Sequence, residues 1–224
     1  MMKKKFSIIL ILLLFNFTTI LAQTAAKFGV NAGVTYFGIR GNEVAIENKY
    51  DFNYLVGTSL EFVYTPKVSL LVNLNYERKS FKNDIKEQIL PFNTFDPAIN
   101  SQTDEIFLQV TQHYLTLPIS CKAYIGKNNG FFVNGGLYVG YLLVSSETIK
   151  GSGANYKVSG LFNDLDFGLN FGVGKRIAIN SKNNLNIEIR NNLGLVNTSR
   201  VPIINGGSVK NNSFNLILNW DFDI

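Results

Sequence analysis

Cysteine is nearly absent. Cys121 is the sole one, so no disulfide can form within the chain even in an oxidising compartment. Histidine is equally scarce, with His113 alone, and no His/Cys set of metal-ligand spacing exists. Proline numbers only five, and beyond Ala22 no apolar run approaches the ~20 residues of a membrane-spanning helix. No phosphate-binding loop or dinucleotide fingerprint is present either. The alternating glycines from Gly168 to Gly174 lie inside a strand pattern and do not open a helix. The formal net charge of +5 owes three of its units to Lys3, Lys4 and Lys5; without them 18 basic residues face 16 acidic ones. A net charge of +2 is no nucleic-acid footprint, and no nucleic-acid partner is expected.

What is present begins with an export signal. Lys3, Lys4 and Lys5 precede the apolar stretch from Ile8 to Phe15, and Ala22 offers a small residue before Gln23. Residues 1–22 are therefore read as a cleaved signal peptide, with Ala25 or Ala26 as alternative cleavage points. The stretch is too short to serve as a retained spanning anchor, and no cysteine near the cut offers a lipid attachment. Residues 23–224 are read as one domain.

Hydrophobic residues make up 46% of the chain, with 18 Phe and 10 Tyr, yet they alternate with polar ones instead of gathering in blocks. Period-two alternation means strands with one apolar face. Eight such segments are legible: 27–37, 52–64, 69–77, 105–125, 131–144, 165–174, 185–195 and 214–222. The connections between them alternate long and short. The longest runs from Lys82 to about Asp104, and a Gly/Ser stretch from Ser145 to Ser159 fills another. An even strand count with short turns at one end and long loops at the other predicts an eight-stranded antiparallel up-and-down transmembrane β-barrel, all-β, in an outer membrane.

The choice of which face points out rests on residue size. The polar face is mostly Gly, Asn and Ser, and small side chains suit the crowded interior of an eight-stranded barrel. The apolar face carries about five large side chains per strand, too many for that interior and well suited to lipid. Its aromatics fall near strand ends. Tyr36, Tyr54, Tyr76 and Tyr141 are expected at the outer interface, and Phe62, Tyr64, Phe131, Trp220 and Phe222 at the inner one.

Four segments carry a family resemblance: Tyr114–Lys122, Gly136–Leu142, Asp166–Gly174 and Ile189–Leu195. In this order they resemble the PorT-like family of outer-membrane β-barrel domain proteins. Thr116 and Asn191 depart from that family's pattern, which often has an acid and a tyrosine there. The resemblance implies a small integral barrel, and its namesake's link to secretion or gliding supplies one candidate role.

Parity places Glu61, Glu77, Lys122, Asp166, Glu188 and Arg190 in the lumen. Buried charges must pair, so these six are expected to form a structural network that plugs the barrel. The alternative is a narrow ion or proton channel. A lipid-modifying hydrolase is the second alternative, with outward-facing His113 and, as its only available partner, Ser80. No catalytic, cofactor-binding or metal-binding residue is assigned, and no cofactor is expected. The barrel is expected to be a monomer whose partners are membrane lipid and, through its loops, proteins or surface ligands.

Overall fold

A computed structural model describes residues 25–41, 48–84, 107–126, 130–150, 155–202 and 207–224. Residues 1–22, expected to be a signal peptide, most of the 82–104 connection, the centre of the turn after Gly126 and Asn205-Gly206 lie outside the described residues. Strand order is β1 Ala25–Arg40, β2 Asn48–Thr65, β3 Val68–Asp84, β4 Phe107–Ile125 and β5 Phe131–Lys150. Then come the short β6 Asn155–Lys157, a 3-10 turn Ser159–Leu161, β7 Leu165–Ala178, β8 Asn183–Gly194 and β9 Lys210–Asp223.

Neighbouring strands pair antiparallel, and β1 closes on β9 from Lys27↔Asp223 to Arg40↔Lys210. With β4 paired to β5 and β5 to β7, eight strands form a closed circuit. The polar Ser145–Ser159 stretch is not the plain loop its composition suggests. Residues 145–150 continue β5, whose pairing with β7 stops at Tyr141. β6 takes the edge left vacant above it, through Ser146↔Lys157 to Thr148↔Asn155.

Three short turns define one end. At the β2–β3 turn, Thr65 Oγ1 accepts from the backbone N–H of Lys67 and Val68 (3.3 and 3.0 Å). At the β7–β8 turn, Asn180 Oδ1 does the same for Lys182 and Asn183 (2.9 and 2.8 Å). Ala25 and Asp223 lie at that same end, and the four longer connections lie at the other. Outer-membrane barrels keep short turns in the periplasm, which makes the long-connection end the outer one.

The two faces separate as side-chain size requires. Outward positions leave large apolar groups uncovered, with Phe131 and Ile189 each 59% exposed and Val173 56%. Inward positions bury carboxamides. Asn31 Nδ2 donates to Asn73 Oδ1 and Asn75 Oδ1 (3.0 Å each), and Asn219 Nδ2 donates to Asn31 Oδ1 and Ser59 Oγ (2.7 and 2.8 Å). Two large rings enter the lumen because glycine faces them. A Cβ on Gly168 would meet Tyr138 Cε1 at 2.6 Å, and one on Gly174 would meet Phe132 Cε1 at 2.8 Å.

At the outer end the inward face changes character. Phe37, Ile39, Phe81, Val110 and Val209 form a buried apolar cluster, with Leu108 and Phe162 packed against it. This cap was not anticipated from a polar face of Gly, Asn and Ser, although Phe37 and Ile39 share the parity of Thr35.

Candidate functional site

All six lumen charges expected from parity are buried, none more than 4% exposed. They do not form one network. Near the periplasmic end Lys122 Nζ lies 2.8 Å from Glu61 Oε2, while Glu61 Oε1 accepts from Ser69 Oγ and Tyr124 Oη (2.7 and 2.6 Å). The Lys122 ammonium also sits over the rings of Phe132 and Tyr124, at 4.2 and 4.9 Å. On β8, Arg190 grips Glu188 with Nε and Nη2 (2.6 and 2.9 Å), and Asn134 Nδ2 adds a third bond to that carboxylate (2.9 Å).

Glu77 pairs with a residue the sequence reading missed. Lys79 Nζ lies 3.2 Å from Glu77 Oε2 and 4.6 Å from the centre of the Tyr114 ring, with Phe37 and Tyr138 also in reach. Thr116 Oγ1 donates to the other Glu77 oxygen at 2.6 Å. Lys79 has the parity of Glu77, so the signal was present; it lies just past Glu77, where the reading ends the strand. Asp166 differs from the other acids. Its Oδ2 accepts from Tyr138 Oη and Asn211 Nδ2 (3.0 and 2.9 Å), and it forms no ion pair among the described residues.

Three ion pairs, two of them with an ammonium group set among aromatic rings, and the apolar cap thus fill the lumen. Each buried pair is completed by hydrogen bonds or rings, the condition under which such pairs persist at low dielectric.

His113 and Ser80 do not meet as a catalytic dyad. His113 Nδ1 is 2.6 Å from Tyr76 Oη, and the two rings stack at 5.7 Å. Ser80 Oγ bonds instead to Asp51 Oδ2 (2.7 Å) and Asn53 Oδ1 (2.9 Å). The cause is a bulge. Between Tyr50↔Phe81 and Leu55↔Glu77, four residues of β2 oppose three of β3, which brings Asp51 and Asn53 onto the side chains of β3.

The result is a polar array near the outer end of β2, β3 and β4. Asp51 also holds Lys82 Nζ (3.0 Å) and Gln109 Nε2 (2.8 Å), and Arg78 Nη1 donates to Asn53 Oδ1 at 2.7 Å. Sequence spacing carried no sign of this array, because a bulge is set by pairing and not by composition.

Comparison with known proteins bears on the fold. A family model described as outer membrane protein beta-barrel domain matches residues 21–200. Among solved structures the chain is similar to Ail, the attachment invasion locus protein of Yersinia pestis. Identity there is 7%, 89% of this chain and 99% of that chain are covered, and the TM-score is 0.44. It is similar also to the outer membrane protein OprG of Pseudomonas aeruginosa (13% identity, 90% and 97% covered, TM-score 0.43). A third is the outer membrane protein AlkL in lipid bilayers (14% identity, 90% of each chain covered, TM-score 0.46). No curated protein matches the sequence.

Proposed function

Because this chain belongs to the outer-membrane β-barrel domain family and resides in the outer membrane, we propose that it is a sealed membrane scaffold that binds partners at its outer end. The observation that carries this reading is strand length. Crossing the bilayer takes about 9–11 residues of a tilted strand, whereas β2, β3, β4 and β5 have 18, 17, 19 and 20. The excess lies at the outer end, where β4 and β5 remain paired up to Phe107↔Lys150 and β6 widens the sheet. A β-ledge rising above the membrane carries the ends of the long connections, as a binding platform requires.

The filled lumen weighs against transport as the main role, and the separate partners of His113 and Ser80 weigh against hydrolysis. Likeness to the PorT-like family rests on segments that are barrel strands here. It makes a secretion or gliding assembly the first partner class to test, and it supplies no chemistry.

A photo-crosslinking amino acid placed at Glu147, on the ledge, tests the reading in intact cells. A discrete protein or surface-glycan adduct is expected there, and only lipid adducts from Leu169 in the membrane band. Lipid adducts alone from both positions would contradict it.

A further inference from the structure

Among the described residues, the outward-facing Arg78 is a charge held by neutral side chains. On β3 the outward positions rise through Leu70, Val72, Leu74 and Tyr76 to Arg78, and Arg78 pairs across to His113 on β4. Tyr76 and Tyr54 lie against each other, ring centres 6.4 Å apart, at the outer aromatic belt. Such rings sit at headgroup level, so the next outward position faces headgroups and not acyl chains.

The Arg78 guanidinium is half-buried and held in place by neutral groups. Nη1 donates to Asn53 Oδ1 at 2.7 Å and Nη2 points to Thr111 Oγ1 at 3.4 Å. Among the described residues no carboxylate pairs with it. The acid of the array, Asp51, is engaged by Lys82, Ser80 and Gln109. A partly desolvated cation without a counter-charge is costly, and the planar fork of arginine matches phosphate oxygens. His113 adds a second donor. His113 Nδ1 is engaged by Tyr76 Oη at 2.6 Å, and in the tautomer in which Tyr76 donates, the ring proton is on Nε2 and available to an external acceptor.

We propose that Arg78 and His113 form a binding site for a phosphate of the outer leaflet's glycolipid, lipid A. The outer leaflet is chosen because this height lies at the long-connection end, and the glycolipid because it is that leaflet's phosphorylated component. The site depends on the outer-membrane placement and is independent of whether the ledge binds partners.

The full chain, extracted in mild detergent, is titrated with lipid A, dephosphorylated lipid A and phosphatidylglycerol, and bound lipid is counted by native mass spectrometry. Lipid A is expected to bind, and the dephosphorylated form to bind about tenfold more weakly or worse. Arg78→Gln is expected to remove that preference, His113→Gln to reduce it, and Lys175→Gln, an outward charge at the periplasmic end, to leave it unchanged. Equal binding of the two lipid A forms by the unaltered chain overturns the proposal without any variant. So does a preference that survives in folded Arg78→Gln or, should that variant not fold, one unaffected by His113→Gln. Phosphatidylglycerol binding as tightly as lipid A would overturn the glycolipid assignment.

Discussion

Arg190 closes a two-bond grip on Glu188, two residues before it on the same strand, through contacts of 2.6 and 2.9 Å inside the barrel. Residues two apart on a strand share a face, so the pair is intrinsic to β8 and needs no particular neighbour to form. Removing one partner strands the other at low dielectric. Arg190→Met is expected to lower unfolding stability by about 3–5 kcal/mol, with much of the loss recovered on adding Glu188→Gln. Adding Glu61→Gln instead should deepen the loss, since Glu61 belongs to Lys122. Urea titrations of the barrel refolded into vesicles distinguish the two doubles, and equal rescue by both would show that the charges act as one pool.

The acids of the lumen should not be equivalent. Glu61→Gln leaves the buried Lys122 ammonium without its carboxylate, and a cost of roughly 3 kcal/mol or more is expected. Among the described residues, Asp166 accepts from the neutral donors Tyr138 and Asn211. Asp166→Asn keeps an acceptor oxygen there and should change stability by less than about 1 kcal/mol. The same refolding assay compares them, and a larger penalty at Asp166 would reveal a charge partner.

Depth in the bilayer gives a third contrast. Leu169 faces outward near the middle of the β5–β7 pairing, and Leu165 starts β7 at the outer end, paired with Tyr141 of the aromatic belt. Leu169→Arg is expected to cost about 2–4 kcal/mol and Leu165→Arg about 0–1 kcal/mol. Equal penalties in vesicles would argue against a lipid-facing band centred near Leu169.

Gly168 offers a test of lumen packing. The Tyr138 ring lies where a side chain at 168 would begin, and the Leu193 backbone closes the other side. Gly168→Ala should reduce the folded fraction clearly on a heat-modifiability gel, whereas Gly130, with open space around its Cβ direction, should accept alanine without loss. Similar behaviour of the two variants would mean the lumen is looser than its contacts imply.

Much of this architecture was legible from periodicity alone. Alternation assigns Leu169, Val173 and Ile189 outward and Asn170, Gly172 and Arg190 inward, because a strand permits no other arrangement. The six lumen charges follow from the same parity. So does the Glu188–Arg190 pair, two residues apart on one strand, whereas the Glu61–Lys122 pair joins β2 to β4 and also depends on the stagger between strands. The upper part of β3 was hidden for a different reason. Arg78, Lys79 and Lys82 look like the start of a loop, yet Lys79 turns into a cage of Phe37, Tyr114 and Tyr138, and Arg78 and Lys82 stand among polar partners at the outer end. Local composition has no access to such compensation. The bulge that brings Asp51 and Asn53 to Ser80 is likewise a property of two strands together.

Single-channel recording in planar bilayers bears most directly on the claim that the barrel is sealed. With Glu61–Lys122, Glu77–Lys79 and Glu188–Arg190 paired inside and Phe37, Ile39, Phe81, Val110 and Val209 packed at the outer mouth, the barrel should insert without stepwise conductance. Reproducible current steps from the unaltered protein would contradict the sealed scaffold and make it a channel.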